Sequence, residues 1–257
     1  MKEITKSFSI PADLVFNFFK YMYKPHNKFG NIMSSCIYIV TEQEKSLFFA
    51  SNRHYAYVKE IKIKESDINI GIQFSKEEKK EILDILKKFK VKEINFVQKD
   101  DAWYLELANK LFGISSTVPR NIFRIIDLAA KEHNIIFNKK EGLEFLKGFT
   151  KDKKNHKIVA IHNNIETQKC SILSNTDDVF DAFPTISQDI QDFCSTVKED
   201  YRVYFNGDYI KLIFNFLLKV RKFDKIIYKF DGDIRWSSSA FCVDDKEYFI
   251  LMPIKIK

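Results

Sequence analysis

The chain has 257 residues, 45% of them hydrophobic, and a formal net charge of +7. That length suits one large domain or two ordinary ones, and 25 Phe and 11 Tyr set against seven Gly and five Pro exclude collagen-like, disordered and low-complexity chains. The positive balance favours an anionic partner, nucleic acid before a membrane surface, if the lysines are arranged on one side of the fold; lysine as a mere solubiliser is the alternative.

The elements follow in chain order. Ile4–Ile10 alternates like a strand, and Pro11 then opens a helix at its first turn, where a missing N–H costs nothing. Leu14, Val15, Phe18, Phe19 and Met22 form its apolar face, with Asn17, Lys20 and Lys24 opposite. Strands are expected at Cys36–Val40, Ser46–Ser51 and Tyr55–Ile63. A second unit starts with a strand at Ile68–Phe74. Ser75 and Glu78 make a capping box for a helix to about Lys90, which buries Ile82, Leu86 and Phe89 and exposes Lys76, Lys80, Asp84, Lys87 and Lys88. Strands Glu93–Gln98 and Trp103–Ala108 follow, then an irregular stretch around Val118-Pro119 and a helical connector over Asn121–Glu132.

The third unit has a strand at Ile135–Asn138 and a helix from Lys140 to Lys151. Leu143, Leu146 and either Phe145 or Phe149 point inward, and Lys140, Glu144, Lys147 and Lys151 point out. Lys157–His162 and Lys169–Leu173 read as strands, and Asn175–Gln191 as a loop or irregular crossover. The fourth unit is a strand at Tyr201–Phe205, a turn at Asn206-Gly207 and an amphipathic helix. Three β-rich runs follow, separated by Asp231-Gly232 and Asp244-Asp245. The last helix buries Tyr209, Leu212, Ile213, Phe216, Leu217 and Val220, with Lys211, Asn215, Lys219 and Lys222 aligned opposite. Helices starting near Pro11, Ser75, Lys140 and Gly207 lie 64, 65 and 67 residues apart. The chain therefore reads as four copies of one strand–helix–strands unit, two per domain, an α+β fold with domains 1–130 and 131–257.

Catalytic patterns are missing from the sequence. Seven scattered glycines supply no phosphate loop, and His26, His54, His133, His156 and His162 have no metal-ligand spacing with one another or with cysteine. Asp177, Asp178 and Asp181 suggest a two-metal nuclease, but a solvated loop is the simpler account. Ser237-Ser238-Ser239 reads as a strand-loop stretch, not a nucleophile site. No enzyme activity, cofactor or metal is expected. Cys36, Cys170, Cys194 and Cys242 stand far apart with no Cys-x-x-Cys pair, as in a reduced, cytoplasmic protein. Lys20, Lys24 and Pro25-His26-Asn27-Lys28 interrupt any signal-peptide core, and no run reaches the roughly 18 apolar residues of a membrane span.

Basic residues recur on the outward face of all four helices: Lys20 and Lys24; Lys80 and Lys87; Lys140, Lys147 and Lys151; Lys211, Lys219 and Lys222. Around a pseudo-symmetry axis these faces would join into one positive track that attracts phosphates without reading bases. Asp84 and Glu144 dilute that charge.

Two stretches carry a family resemblance. The tail Ile250-Leu251-Met252-Pro253-Ile254-Lys255-Ile256 resembles the hydrophobic–hydrophobic–Met-Pro ending of the bacterial DNA polymerase sliding clamp, the β subunit. The corner Ala50-Ser51-Asn52-Arg53-His54-Tyr55-Ala56 is similar to a turn of that family's middle domain, with Arg53 where the family has Gly and Tyr55 where it has a basic residue. The resemblance implies a DNA-clamp fold of four β-α-β-β-β units with helices on one face and sheets on the other, matching the middle and last domains. It implies a processivity factor that holds double-stranded DNA, with a polymerase and a clamp loader as partners. It also implies a partner-peptide pocket involving Ser51, Arg53, His54, Tyr55, Ile250, Met252, Pro253 and Ile254. Arg53 and Tyr55 would narrow or re-charge that pocket. Two domains per chain, as in archaeal, eukaryotic and several phage clamps, imply a homotrimer for a six-domain ring, with a monomer or open dimer as alternatives. A clamp-fold interaction module without a ring, and a repair or nuclease protein with a spatially assembled acidic site, are the rival functions.

Overall fold

The computed structural model describes residues 4–22, 36–42, 45–51, 55–114, 133–151, 158–164, 169–175, 186–189, 201–230, 239–244 and 246–252. The chain divides into two compact units, Met1–Ile122 and Phe123–Lys257.

The first unit runs β1 (Ile4–Pro11), α1 (Ala12–Asn17, continued as a π-helical turn over Phe18–Met22), β2 (Cys36–Glu42), β3 (Lys45–Ser51) and β4 (Tyr55–Ile61). The same order then repeats as β5 (Asn69–Gln73), α2 (Lys76–Phe89), β6 (Glu93–Lys99), β7 (Ala102–Leu107) and β8 (Lys110–Gly113). Its sheets are ordered β1-β6-β7-β8 and β5-β2-β3-β4. Each repeat therefore lends its first strand to the antiparallel meander of the other, β1 pairing β6 and β5 pairing β2. Neither repeat can complete a sheet alone, which explains why the repeats come in pairs.

The second unit repeats the plan: β9 (His133–Asn138), α3 (Lys139–Lys151), β10 (Ile158–Asn164), β11 (Lys169–Asn175) and β12 (Ile186–Asp189). Then come β13 (Tyr201–Asn206), α4 (Gly207–Phe214, continued as a π-helical turn over Asn215–Val220), β14 (Lys225–Phe230), β15 (Ser239–Cys242) and β16 (Glu247–Leu251). Here β9 pairs β14 and β13 pairs β10. The exchange leaves the same mark at both sites. The N–H of Ala12 donates to the Lys92 carbonyl at 2.8 Å, and that of Lys139 to the Asp224 carbonyl at 2.7 Å. In each case the first helical residue extends the ladder its strand has just left.

The four-unit reading of the sequence holds, with local corrections. β8 was not expected, and β12 lies inside the stretch read as a loop. Both are four-residue strands, too short for a visible alternation. The hairpin into β8 turns at Ala108 and Asn109 with φ of 50° and 63°, and the one before it at Asp100 and Asp101 with 48° and 62°. These are left-handed pairs of the type a two-residue hairpin needs, made without glycine. The Asn121–Glu132 connector and the Val118-Pro119 stretch lie outside the described residues.

Packing corrects several burial expectations. Phe89 is exposed and Ile85 takes its place in the core. The apolar stripe of α2 runs out before its last turn, and Lys90 at φ 49° then swings the chain toward β6. Leu143 is half-buried, with Gly142, Phe145 and Leu146 inside. In α4, Tyr209, Leu212 and Val220 are only half-buried, while Ile210, Phe214 and Leu218 are fully inside beside Ile213, Phe216 and Leu217. The cause is a neighbour on a second side: a Cβ on Gly142 of α3 would lie 2.5 Å from Leu218 Cδ1 and 3.4 Å from Phe214 Cδ1.

Aromatic rings fill both cores. In the first unit Phe8 stacks on Phe96 at 4.9 Å, and Phe18 of the α1 continuation meets Phe48 of β3 edge-on at 6.2 Å. In the second, Phe241 is shared by Phe205, Phe214 and Tyr228 at 5.9, 6.3 and 5.1 Å. Beyond α4, Arg221 grips the buried Glu247 through two 2.9 Å bonds, Nε to Oε1 and Nη2 to Oε2. The Asp244 carboxylate accepts the N–H groups of Lys246 and Glu247, as the sequence turn signal suggests.

Candidate nucleic-acid interface

Side-chain caps fix where α2, α3 and α4 begin, and so which of their side chains reach water. Ser75 caps α2: its Oγ accepts the Glu78 N–H at 3.1 Å, and Glu78 Oε2 accepts the Ser75 N–H at 2.7 Å. Asn138 does the same for α3, accepting from the Glu141 N–H at 3.0 Å while Glu141 Oε2 accepts the Asn138 N–H at 3.0 Å. The helix therefore starts at Lys139, not at the Lys140 that the sequence suggests, because Asn138 is its cap. Asn206 caps α4 through the Asp208 N–H at 2.9 Å.

Lys80 and Lys87 are exposed on α2, and Lys140 and Lys147 on α3. Residues seven apart share a helix face, so each pair forms a short basic stripe, interrupted by exposed Asp84 in one and Glu144 in the other. Aligned on their caps the two stripes are displaced by three residues, about 60° around the axis. Lys139, beside this stripe, is tied down by Asp224 at 3.1 Å.

On α4 the expected alignment does not survive. Lys211 is half-buried and Lys219 is exposed, but Lys222 lies beyond the helix at φ 60°. The π-helical turn widens the helix after Phe214, with Arg221 N–H donating to the Phe216 carbonyl at 2.9 Å. That breaks the 3.6-residue phase that would put Lys211, Asn215, Lys219 and Lys222 in line. On α1, Lys20 is exposed with its Nζ 5.3 Å above the Phe16 ring and 4.7 Å above that of Tyr21. Lys24 and the side chain of Lys151 lie outside the described residues.

One lysine was missed. Lys79 is half-buried, its Nζ lies 5.9 Å from the Phe19 ring centre, and burial lowers its ammonium from 10.5 to about 8. A Lys-Lys pair after a cap gives no sign of which member turns inward.

Of the residues assigned to a peptide pocket, Ser51 ends β3 half-buried, its hydroxyl donating to the Tyr55 carbonyl at 3.2 Å. Tyr55 and Ile250 are buried, and Met252, directly after β16, is 48% exposed. Arg53, His54, Pro253 and Ile254 lie outside the described residues. So do Asp177, Asp178 and Asp181. Among the described residues no three His, Cys, Asp or Glu converge as metal ligands, and no helix is long and apolar enough to cross a membrane. Cys242 is a buried free thiol in β15.

Comparison of the sequence with family models and with characterised proteins gives no match. Solved structures do match. A DNA polymerase III β subunit from Thermotoga maritima superposes over 100% of this chain and 67% of its own, with a TM-score of 0.71 at 15% identity. A putative DNA polymerase III β subunit from Eubacterium rectale gives 0.70 at 12% identity, and the DNA polymerase sliding clamp of Bacillus subtilis 0.66 at 16%, with the same coverage. The fold is thus the α+β fold of the DNA sliding clamps, and the chain spans about two thirds of the length of these neighbours.

Proposed function

We propose that this chain is a DNA sliding clamp, a processivity factor that holds duplex DNA without reading its sequence and tethers replication proteins to it. The observation that carries this reading is the exposed basic stripe on a helix of each unit, Lys80 with Lys87 and Lys140 with Lys147, on a fold matched by clamp structures. Lysines spaced along helices neutralise phosphates without gripping bases, and the intervening Asp84 and Glu144 keep the hold weak enough for sliding. The polymerase and loader would be engaged partly through exposed Met252, whose flexible thioether suits an adaptable apolar contact.

Ring closure belongs to the same proposal. Strand β8 ends the β1-β6-β7-β8 sheet and β12 ends the β12-β11-β10-β13 sheet. Among the described residues neither strand has a partner on its outer side, and Leu111 on β8 is 46% exposed. Pairing β8 of one copy with β12 of the next would satisfy both edges head to tail, and three copies would supply the six domains of a closed ring.

The test is duplex binding across a salt series, read by fluorescence anisotropy of a labelled 30-base-pair DNA. Replacing Lys80, Lys87, Lys140 and Lys147 together by Gln should flatten the log–log salt dependence by roughly three to four, about 0.9 per lost phosphate contact. An unchanged slope, or a native protein that ignores duplex DNA at low salt, contradicts the reading.

A further inference from the structure

Two aromatic side chains stand apart from the rest of this Phe- and Tyr-rich protein. Among the described residues, Tyr21 at 39% and Phe89 at 55% are the aromatics classed as exposed. Both belong to the helix pair of the first unit, Tyr21 to the π-helical turn of α1 and Phe89 to the last turn of α2. Both also lie under a lysine ammonium: Lys20 Nζ is 4.7 Å from the Tyr21 ring centre, and Lys88 Nζ is 5.3 Å from that of Phe89. Lys87, Lys90 and Lys92 surround Phe89 in sequence and are all exposed. Of the aromatic side chains whose burial is described on α3 and α4, Phe145, Tyr209, Phe214 and Phe216, none is exposed.

Holding a duplex does not call for such groups, because paired bases offer no free faces. A solvent-facing ring beside lysines is instead the chemistry of unpaired nucleotides: the ring stacks on a base and the ammonium meets the adjacent phosphate. Core packing alone does not account for the rings, since 39% of Tyr21 and 55% of Phe89 stay accessible to water. C-terminal lysines that offset the dipole of α2 would account for Lys87 and Lys88 but not for an exposed Phe between them and Lys90.

We propose that the α1–α2 helix pair of the first unit binds single-stranded DNA, with Tyr21 and Phe89, at the last turn of each helix, as separate stacking platforms and Lys20, Lys88 and Lys90 as phosphate contacts. This adds a single-strand site to the duplex-holding role proposed above and does not require ring closure. The fit is one of charge and stacking, so the site should tolerate any base.

The experiment compares labelled oligo-dT of 20 nucleotides with a blunt 30-base-pair duplex, binding to the full chain at low salt, for the native protein and a Tyr21→Ala/Phe89→Ala variant. Both positions are exposed, so the variant should keep the native far-ultraviolet spectrum and melting temperature. Each lost stack weakens binding several-fold or more, so oligo-dT affinity should fall at least about tenfold while duplex affinity and the salt slope stay unchanged. A Tyr21→Phe variant should bind as the native protein does. Equal oligo-dT affinities in native and double variant, or equal losses for oligo-dT and duplex, overturn the proposal. A native protein that binds oligo-dT but not duplex refutes the clamp reading alone, so the two failures are distinguishable.

Discussion

The helix pairs of the two units are built on one plan and filled differently. Aligned on their capping boxes, Ser75-x-x-Glu78 and Asn138-x-x-Glu141, Phe74 of the first unit corresponds to Phe137 of the second, and Lys79 to Gly142. In the first unit Phe19 of α1 meets Phe74 edge-on at 5.8 Å and has the Lys79 ammonium 5.9 Å away. In the second, Phe214 of α4 meets Phe137 at 6.4 Å, and Gly142 lies so close to Phe214 and Leu218 that a Cβ there would force the Leu218 side chain to shift. One junction is tight and apolar. The other keeps a desolvated lysine stem in the same place. The scaffold, two caps and an aromatic pair, is therefore independent of what seals the helices, and a half-buried lysine marks the junction of the first unit.

The sharpest way to break this comparison is to put the residue of one unit into the other. Gly142→Lys should destabilise the protein by about 3 kcal/mol, because its Cβ displaces the buried Leu218 side chain and its charge loses water. A urea midpoint unchanged from the native protein would show that the helices separate freely. Removing the shared element should instead hit both units alike: Ser75→Ala and Asn138→Ala should each cost about 1 kcal/mol, read from the same unfolding curves. The smallest effect is expected at Lys79→Met. The native state holds the Lys79 proton less tightly than the unfolded chain, so its burial cost is present below pH 8 and disappears as pH rises through about 10.5. The substitution should raise stability at pH 7 by no more than about 1 kcal/mol, because solvent screens this half-exposed group. The gain should vanish near pH 11, and a gain that grows with pH would contradict the desolvation account.

Much of this architecture was legible because its signals are local. The Ser75–Glu78 box located α2, Pro11 located α1, and the 3.6-residue apolar spacing located α3 and α4, so the near-even intervals between the four helices revealed the four units. Signals that depend on tertiary contact were not legible. The burial of Ile210, Phe214 and Leu218 follows from α3 lying on a second side of α4, which the α4 sequence does not encode. The π-helical turns after Asn17 and Phe214 leave no mark in composition, yet the second moves Lys219 and Lys222 off the face where regular spacing puts them. Of the candidate interface, the α2 and α3 lysines were readable from helix phase alone. The exposed Phe89 was not, because its spacing from Ile82 matches a core position and only the end of the helix frees it.

The most direct test of the clamp account is the molar mass of the protein in solution, measured by light scattering over a concentration series. A mass approaching three times 30.4 kDa is predicted for a closed ring of this chain. A mass that stays at 30.4 kDa at every concentration would contradict the ring.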